Sequence, residues 1–156
     1  MHPSSRTAAP FRRPRYRRTE RITSVGAVVR DSQGRLLLIH KRKTGNWEFP
    51  RGKVEPGETY RQTMSREIFE EIGVRRFRRI PGFHEQIRFQ FVREGSLKDK
   101  TVHVYAIEID GRVRLSEEHT AFRWCTPTEA RRLIRHESER QVLDRALVFG
   151  DRRVAH

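Results

Sequence analysis

Three glutamates, Glu67, Glu70 and Glu71, fall within five positions of a 156-residue chain. On an α-helix they stand at i, i+3 and i+4, neighbours one turn apart. Like charges that close repel, so either water screens them or a cation sits among them. Met64, Ile68 and Ile72 recur every fourth position and take a separate face. Such a helix can bury one side and turn its acids into a cleft. Hard divalent cations take oxygen ligands of this kind, and magnesium also binds substrate phosphates while keeping several of its waters. The chemistry that suits is metal-assisted hydrolysis of a phosphoanhydride, in which the ion neutralises phosphate charge and lowers the pKa of a water. Taken alone, the same acids also fit an ordinary solvated helix face.

The surrounding pattern describes what must position them. Residues 59–72 are expected to be helical, stopped by Gly73 as a C-cap, with "EPGE" as the turn before them. "WEFP" (Trp47–Pro50) reads as a short strand ending at a proline. Upstream, Ile22–Val29 and "RLLLIHKRK" are two strands around the turn Asp31–Gly34, a hairpin signal. Downstream, "GFHEQIRFQFVRE" alternates so that Ile87, Phe89 and Phe91 share a face, "GSLKDK" reads as a polar loop, and "TVHVYAIEI" as a strong strand. "EEHTAFRWC" ends in a short strand, with Phe122 and Trp124 as core candidates. "TPTEARRLIRHESERQVLDRALVFG" reads as two helices or one interrupted helix, capped by Thr126 or Thr128. Strands interleaved with a central helix and followed by helices imply an α/β layered domain. Its expected span is 21–150, between a disordered basic tail at 1–20 and a short C-terminal tail at 151–156.

Lysine plus arginine number 34 against 20 acidic residues, a formal charge of +14. Polyanions are the natural partners of such a chain. The tail "MHPSSRTAAPFRRPRYRRTE" is rich in Pro, Ser and Arg and has no apolar period, so it has little to offset ordering entropy. With Phe11 and Tyr16 among its arginines it fits a nucleic-acid arm, an organelle address, or a solvated linker. No apolar run is long enough for a membrane span. The lone Cys125 cannot pair within the chain, which suits a reducing compartment and an expected cytoplasmic location. Monomer and homodimer both stay open.

Gly52, Glu58, Arg66, Glu67, Ile68, Glu70, Glu71, Gly73 and Val74 stand at the spacing G-x5-E-x7-R-E-I-x-E-E-x-G-V. This resembles the Nudix box, with every defining position filled, and the resemblance extends over residues 22–148. It implies a Nudix-type α/β/α sandwich around a central mixed sheet. It further implies a metal site of the Gly52 carbonyl with Glu67, Glu70 and Glu71, for magnesium or alternatively manganese. By the same resemblance Glu67, Glu71 and Arg66 are the catalytic set, Glu67 doubling as general base, and Arg66 pairs with Glu58 to tie loop to helix. Glu108 matches an external acidic ligand by position, with Glu117 and Glu118 as rivals.

Beyond the box, "WEFPRGKVEPGE", "KTVHVYAIE" and "LSEEHTAFRW" are similar to the bis(5'-nucleosyl)-tetraphosphatase branch of that family. This implies a nucleoside polyphosphate substrate, diadenosine tetraphosphate first, cleaved asymmetrically. Phe89 matches an aromatic base platform where the branch commonly has Tyr, and Lys100 matches a phosphate-binding Lys. Arg51 and Lys53 stand where the branch has Lys and His, and keep donors beside the metal site. "WEFP" and the extra positive charge equally resemble the RNA pyrophosphohydrolases. A catalytically silent Nudix protein that binds RNA through its basic surface is the third reading, against which the retention of every box acid weighs.

Overall fold

The β-branched run around Val25–Val29 makes the central strand of the protein. The structure, a computed structural model, describes residue 10 and residues 15–154, with backbone alone over 150–154. Strand β1 (Thr19–Arg30) is buried on both faces in its second half, as expected of a strand covered by helices on both sides. After it come β2 (Leu36–Lys41), β3 (Trp47–Glu48), β4 (Arg51–Lys53) and helix α1 (Tyr60–Ile72). Strands β5 (Arg78–Arg93), β6 (Ser96–Glu108) and β7 (His119–Cys125) follow, then α2 (Pro127–Leu133) and α3 (Glu137–Val154).

The described residues form a seven-stranded sheet, with β3-β2-β1-β6-β5 in order, β4 added to β1 and β7 to β2. Among the strand pairings of the described residues only β1–β6 is parallel, besides an isolated parallel bridge from Trp47 to Ile134. One edge of β1 is taken by β6 over its whole length. Its other edge is shared: Arg30 faces Leu36 of β2, while Ser24–Gly26 face Lys53–Arg51 of β4. That division places β4, and the loop leading to α1, against the middle of the sheet.

Val25, Ala27, Val29, Leu37, Ile39 and Ile107 pack against Met64, Ile68 and Ile72 of α1. On the opposite face Val28, Leu38, Val102 and Val104 pack against Ala130, Ile134, Val142 and Leu143 of α2 and α3. The result is the α/β/α arrangement with a mixed sheet. Thr59 caps α1 through a reciprocal pair with Gln62, and Gly73 ends it at φ 71°, a left-handed conformation natural to glycine. Thr126 is the cap of α2, its hydroxyl accepting from the Glu129 N–H.

Four expectations differ. "GSLKDK" lies in β6, because β5 and β6 form one long hairpin whose turn is Glu94–Gly95. β1 starts at Thr19, where Leu97 is its partner, so the end of the basic tail belongs to the sheet; residues 1–9 and 11–14, including Phe11, lie outside the described residues. Helix α3 continues to Val154, across the expected C-terminal boundary. Phe122 is 42% exposed rather than core, while Trp124, two residues on and on the same face of β7, does pack against the core. No helix of the described residues is long and apolar enough to cross a membrane.

Candidate active site

The α1 glutamates meet the sheet at Gly52. A Cβ on Gly52 would fall 1.9 Å from the Glu67 carboxyl carbon, so only glycine lets this carboxylate lie against the β4 backbone. Arg66 organises the rest. Its Nε and Nη2 donate to the two Glu58 oxygens at 2.8 and 2.9 Å, and Nη2 also donates to the Lys53 carbonyl at 2.9 Å. Nη1 donates to Glu67 at 2.8 Å and Glu70 at 3.2 Å. One guanidinium thus ties the loop, β4 and the acid flank together, a task its planar fork suits. The bond from Arg66 holds the Glu58 carboxyl down at about 2.

The acids differ in how well their charge is compensated. Glu70 is half exposed. Glu67 is pushed above the usual range, first by burial and then, against the pull of Arg66, by Glu70 and Glu118. Glu71 is buried, and its carboxylate accepts one bond, from the Arg51 N–H at 3.0 Å. Burial, followed by the charge of Glu67, raises it to about 8. A buried carboxylate with one neutral donor needs a proton or a cation. Among the described residues no three acidic, histidine or cysteine groups converge into a ready cage. Magnesium requires no such cage, since it is commonly held by one or two carboxylates and its own waters. The donor set therefore fits a hard divalent ion.

Arg51, read from the sequence as a phosphate contact, is otherwise employed. Its guanidinium bonds Glu48 at 3.1 Å and also Glu139 at the start of α3. Burial opposes its charge, but Glu139 and Glu48 more than offset this and raise its pKa. Lys100 is also desolvated, which lowers it to about 8, helped by the nearby cations Arg51 and Lys41. Its ammonium lies 5.8 Å from the ring centre of Phe89, which is 39% exposed on the same sheet face. Lys53 and Lys100 join Lys41, Lys43 and Lys98 around a cavity of about 490 Å³, with Phe91 on its wall.

Glu108 is not brought to this cluster. It sits opposite Arg30, five residues along β1 from the Val25–Gly52 pair, roughly 16 Å at strand rise. There it bonds Arg78 at 2.5 Å and lies 3.3 Å from Arg30, so it is a compensated acid. Of its rivals, Glu118 is the one whose charge reaches Glu67. Glu48 and Glu139, both buried beside Arg51, were missed. Glu48 lies within "WEFP" and carried a weak signal as an acid in an apolar strand. Glu139, in the polar run "RHESER", carried none.

The described site can be set beside known proteins. A NUDIX domain model matches residues 20–146. The asymmetrical bis(5'-nucleosyl)-tetraphosphatase of Sus scrofa is 35% identical over 119 residues, 73% of this chain and 78% of that protein. An RNA pyrophosphohydrolase of Erwinia tasmaniensis is 43% identical over only 53 residues, 34% of this chain and 30% of its own. In fold, a C. elegans Ap4A hydrolase aligns with a TM-score of 0.69 at 24% identity, covering 82% of this chain and 96% of that one. With a family model and a relative aligned over about three quarters of both chains agreeing, the chain belongs to the Nudix family and is a pyrophosphohydrolase acting on phosphoanhydrides.

Proposed function

We propose that the protein hydrolyses dinucleoside polyphosphates, diadenosine tetraphosphate first, with a divalent cation held by Glu67, Glu70, Glu71 and the Gly52 carbonyl. The observation that carries this reading is the buried, under-compensated Glu71 beside the Gly52–Glu67 contact. Bound there, magnesium, or manganese in its place, would neutralise phosphate charge and acidify an attacking water. Arg66 acts as a positioning residue, holding Glu67 and Glu70 in register with β4. Lys53 and Lys100 bind the phosphate chain and stabilise the charge that develops on it. Phe89 carries one base by stacking. Glu67 takes the proton from water, and Glu118 supports the metal from outside the helix in the place first considered for Glu108. The similarity to the Sus scrofa tetraphosphatase along most of both chains supports this substrate over others.

A second reading, removal of pyrophosphate from an RNA 5' end, is favoured by the local likeness to RNA pyrophosphohydrolases and by the lysine-lined cavity. A substrate panel with magnesium separates the two: dinucleoside polyphosphates, 5'-triphosphorylated RNA, nucleotide sugars and damaged nucleoside triphosphates. The expected result is the highest kcat/KM on diadenosine tetraphosphate, with a mononucleotide and a nucleoside triphosphate as products. A higher kcat/KM on triphosphorylated RNA would establish the second reading instead.

A further inference from the structure

Helix α1 carries a second charged flank. Arg61, Ser65 and Phe69 recur every fourth position, and Phe69 lies roughly 160° around the helix from Glu67 at 100° per residue. The chain after the helix turns back along this flank. Arg75 lies over the Phe69 ring, 4.2 Å from its centre, and Arg79 of β5 lies over Tyr105 at 5.5 Å. Arg61, Arg75, Arg76 and Arg79 line one cavity of about 420 Å³, with Ser65 in its wall. None of the four has a carboxylate within 4.0 Å among the described residues. Among the described residues, arginines such as Arg30, Arg66, Arg88 and Arg145 are paired with acids and others such as Arg42, Arg93 and Arg112 are not; what sets these four apart is that they share one concavity. Four unpaired guanidinium groups around one concavity repel each other and lower the cost of accepting an anion.

The neighbouring surface says what kind of anion. Tyr105 stacks on His84 at 4.7 Å, His84 on His103 at 5.1 Å, and His103 on Tyr60 at 4.2 Å. This row of rings starts at Arg79 and crosses the sheet to the first turn of α1, where Tyr60 is 39% exposed. Guanidinium forks bind phosphate oxygens, and exposed rings beside a basic groove are the means by which unpaired bases are held. An acidic peptide would use the arginines but leave the rings idle.

We infer that the arginine flank of α1 is a binding site for single-stranded nucleic acid; its arginines stand away from the acid flank, and its ring row ends at Tyr60, about two turns before Glu67. Arg61, Arg75, Arg76 and Arg79 take its phosphates, and Tyr60 and His84, the exposed members of the row, meet its bases, with buried His103 and half-buried Tyr105 backing them. The site stands whether or not the chain hydrolyses dinucleoside polyphosphates.

The test is fluorescence anisotropy with a labelled 5'-hydroxyl single-stranded RNA, which lacks the polyphosphate a catalytic site would grip. Full-length protein is titrated over a series of NaCl concentrations without divalent metal. Arg61→Ala/Arg75→Ala/Arg76→Ala should weaken binding at least tenfold, keep its Tm near that of the parent, and reduce the salt slope by about 2, at roughly 0.7 per lost contact to a single strand. The comparison is Arg132→Ala/Arg135→Ala on and after α2, which should change neither quantity by a comparable amount per charge removed. Unchanged affinity and slope in the triple variant would overturn the site. So would an equal loss per arginine in the comparison variant, since net charge alone would then explain the binding.

Discussion

Glu71 and Glu108 are two acids that the sequence offers for the same task, and they end in opposite circumstances. Glu108 is partly exposed between Arg30 and Arg78, and its charge is answered by the protein itself. Glu71 is buried, receives one neutral N–H among the described residues, and stands beside Glu67, which outweighs the charge of Lys41, so its own charge is under-compensated. Glu108 ends β6 and Glu71 of α1 lies against β4 of the same sheet, and the registers that separate them are set by β1. The difference is what singles out Glu71, rather than Glu108, for the proposed metal site. A protein that compensates an acid has used it for structure, and one that leaves an acid buried without compensation depends on a ligand to complete it.

The contrast is broken most severely at Glu71. Glu71→Gln should lower kcat by about a thousandfold or more, the scale of several kcal/mol of lost charge stabilisation. The same variant should be at least as stable as the parent at pH 8 without metal, because a buried charge has been removed. Retained turnover in Glu71→Gln would end the metal-site reading.

Arg66→Ala attacks the device that makes the acid flank tolerable. Glu67 would lose its guanidinium partner and the Lys53 carbonyl a donor. Stability should fall by about 1–2 kcal/mol after allowance for solvent screening, read by urea unfolding. Arg66→Lys should recover only part of this loss, since an ammonium cannot reproduce the fork.

Acidity sharpens the contrast further. The folded pKa of Glu71, about 8, lies above its ordinary 4.5, so the folded chain holds this proton more firmly than the unfolded one. The associated stability is complete below pH 4.5 and is lost as the pH climbs toward 8. Metal-free Tm should therefore decline across that window, and the decline should shrink markedly in Glu71→Gln, leaving the smaller contribution of Glu67. Glu58 acts in the opposite sense. Its pKa is held at about 2, so the stability it adds is present above 4.5 and lost as pH falls toward 2. The smallest effect belongs to Glu108→Gln. Thermal unfolding should register under about 1 kcal/mol for a partly exposed pair, and kcat should stay within about twofold of the parent.

The acid flank was legible because its information is local. A helical period and a stop glycine are written within residues 52–74, while the Thr59 cap and the close approach at Gly52 became visible only in the structure. The strands of the core were legible for the same reason. What eluded the sequence depends on register between distant segments. Glu108 resembles a ligand in its strand, but the parallel pairing with β1 carries it to Arg30. Glu139 looks like surface charge, but the start of α3 carries it to Arg51, which is thereby held in a buried pair of acids and turned from substrate to structure. "GSLKDK" reads as a loop from its polarity, yet pairing with β5 and β1 extends it as strand. The arginine flank of α1 likewise exists only because the chain after Gly73 folds back over Phe69.

The central claim is that Glu71 is completed by a cation, and its most direct test counts protons. Magnesium is titrated calorimetrically into the full-length protein near pH 7, in two buffers of different ionisation enthalpy. A carboxyl with a pKa of about 8 is largely protonated there, so metal binding at Glu71 must release close to one proton. The account predicts that release, and its loss in Glu71→Gln. Binding with no proton release and no change in Glu71→Gln would contradict it.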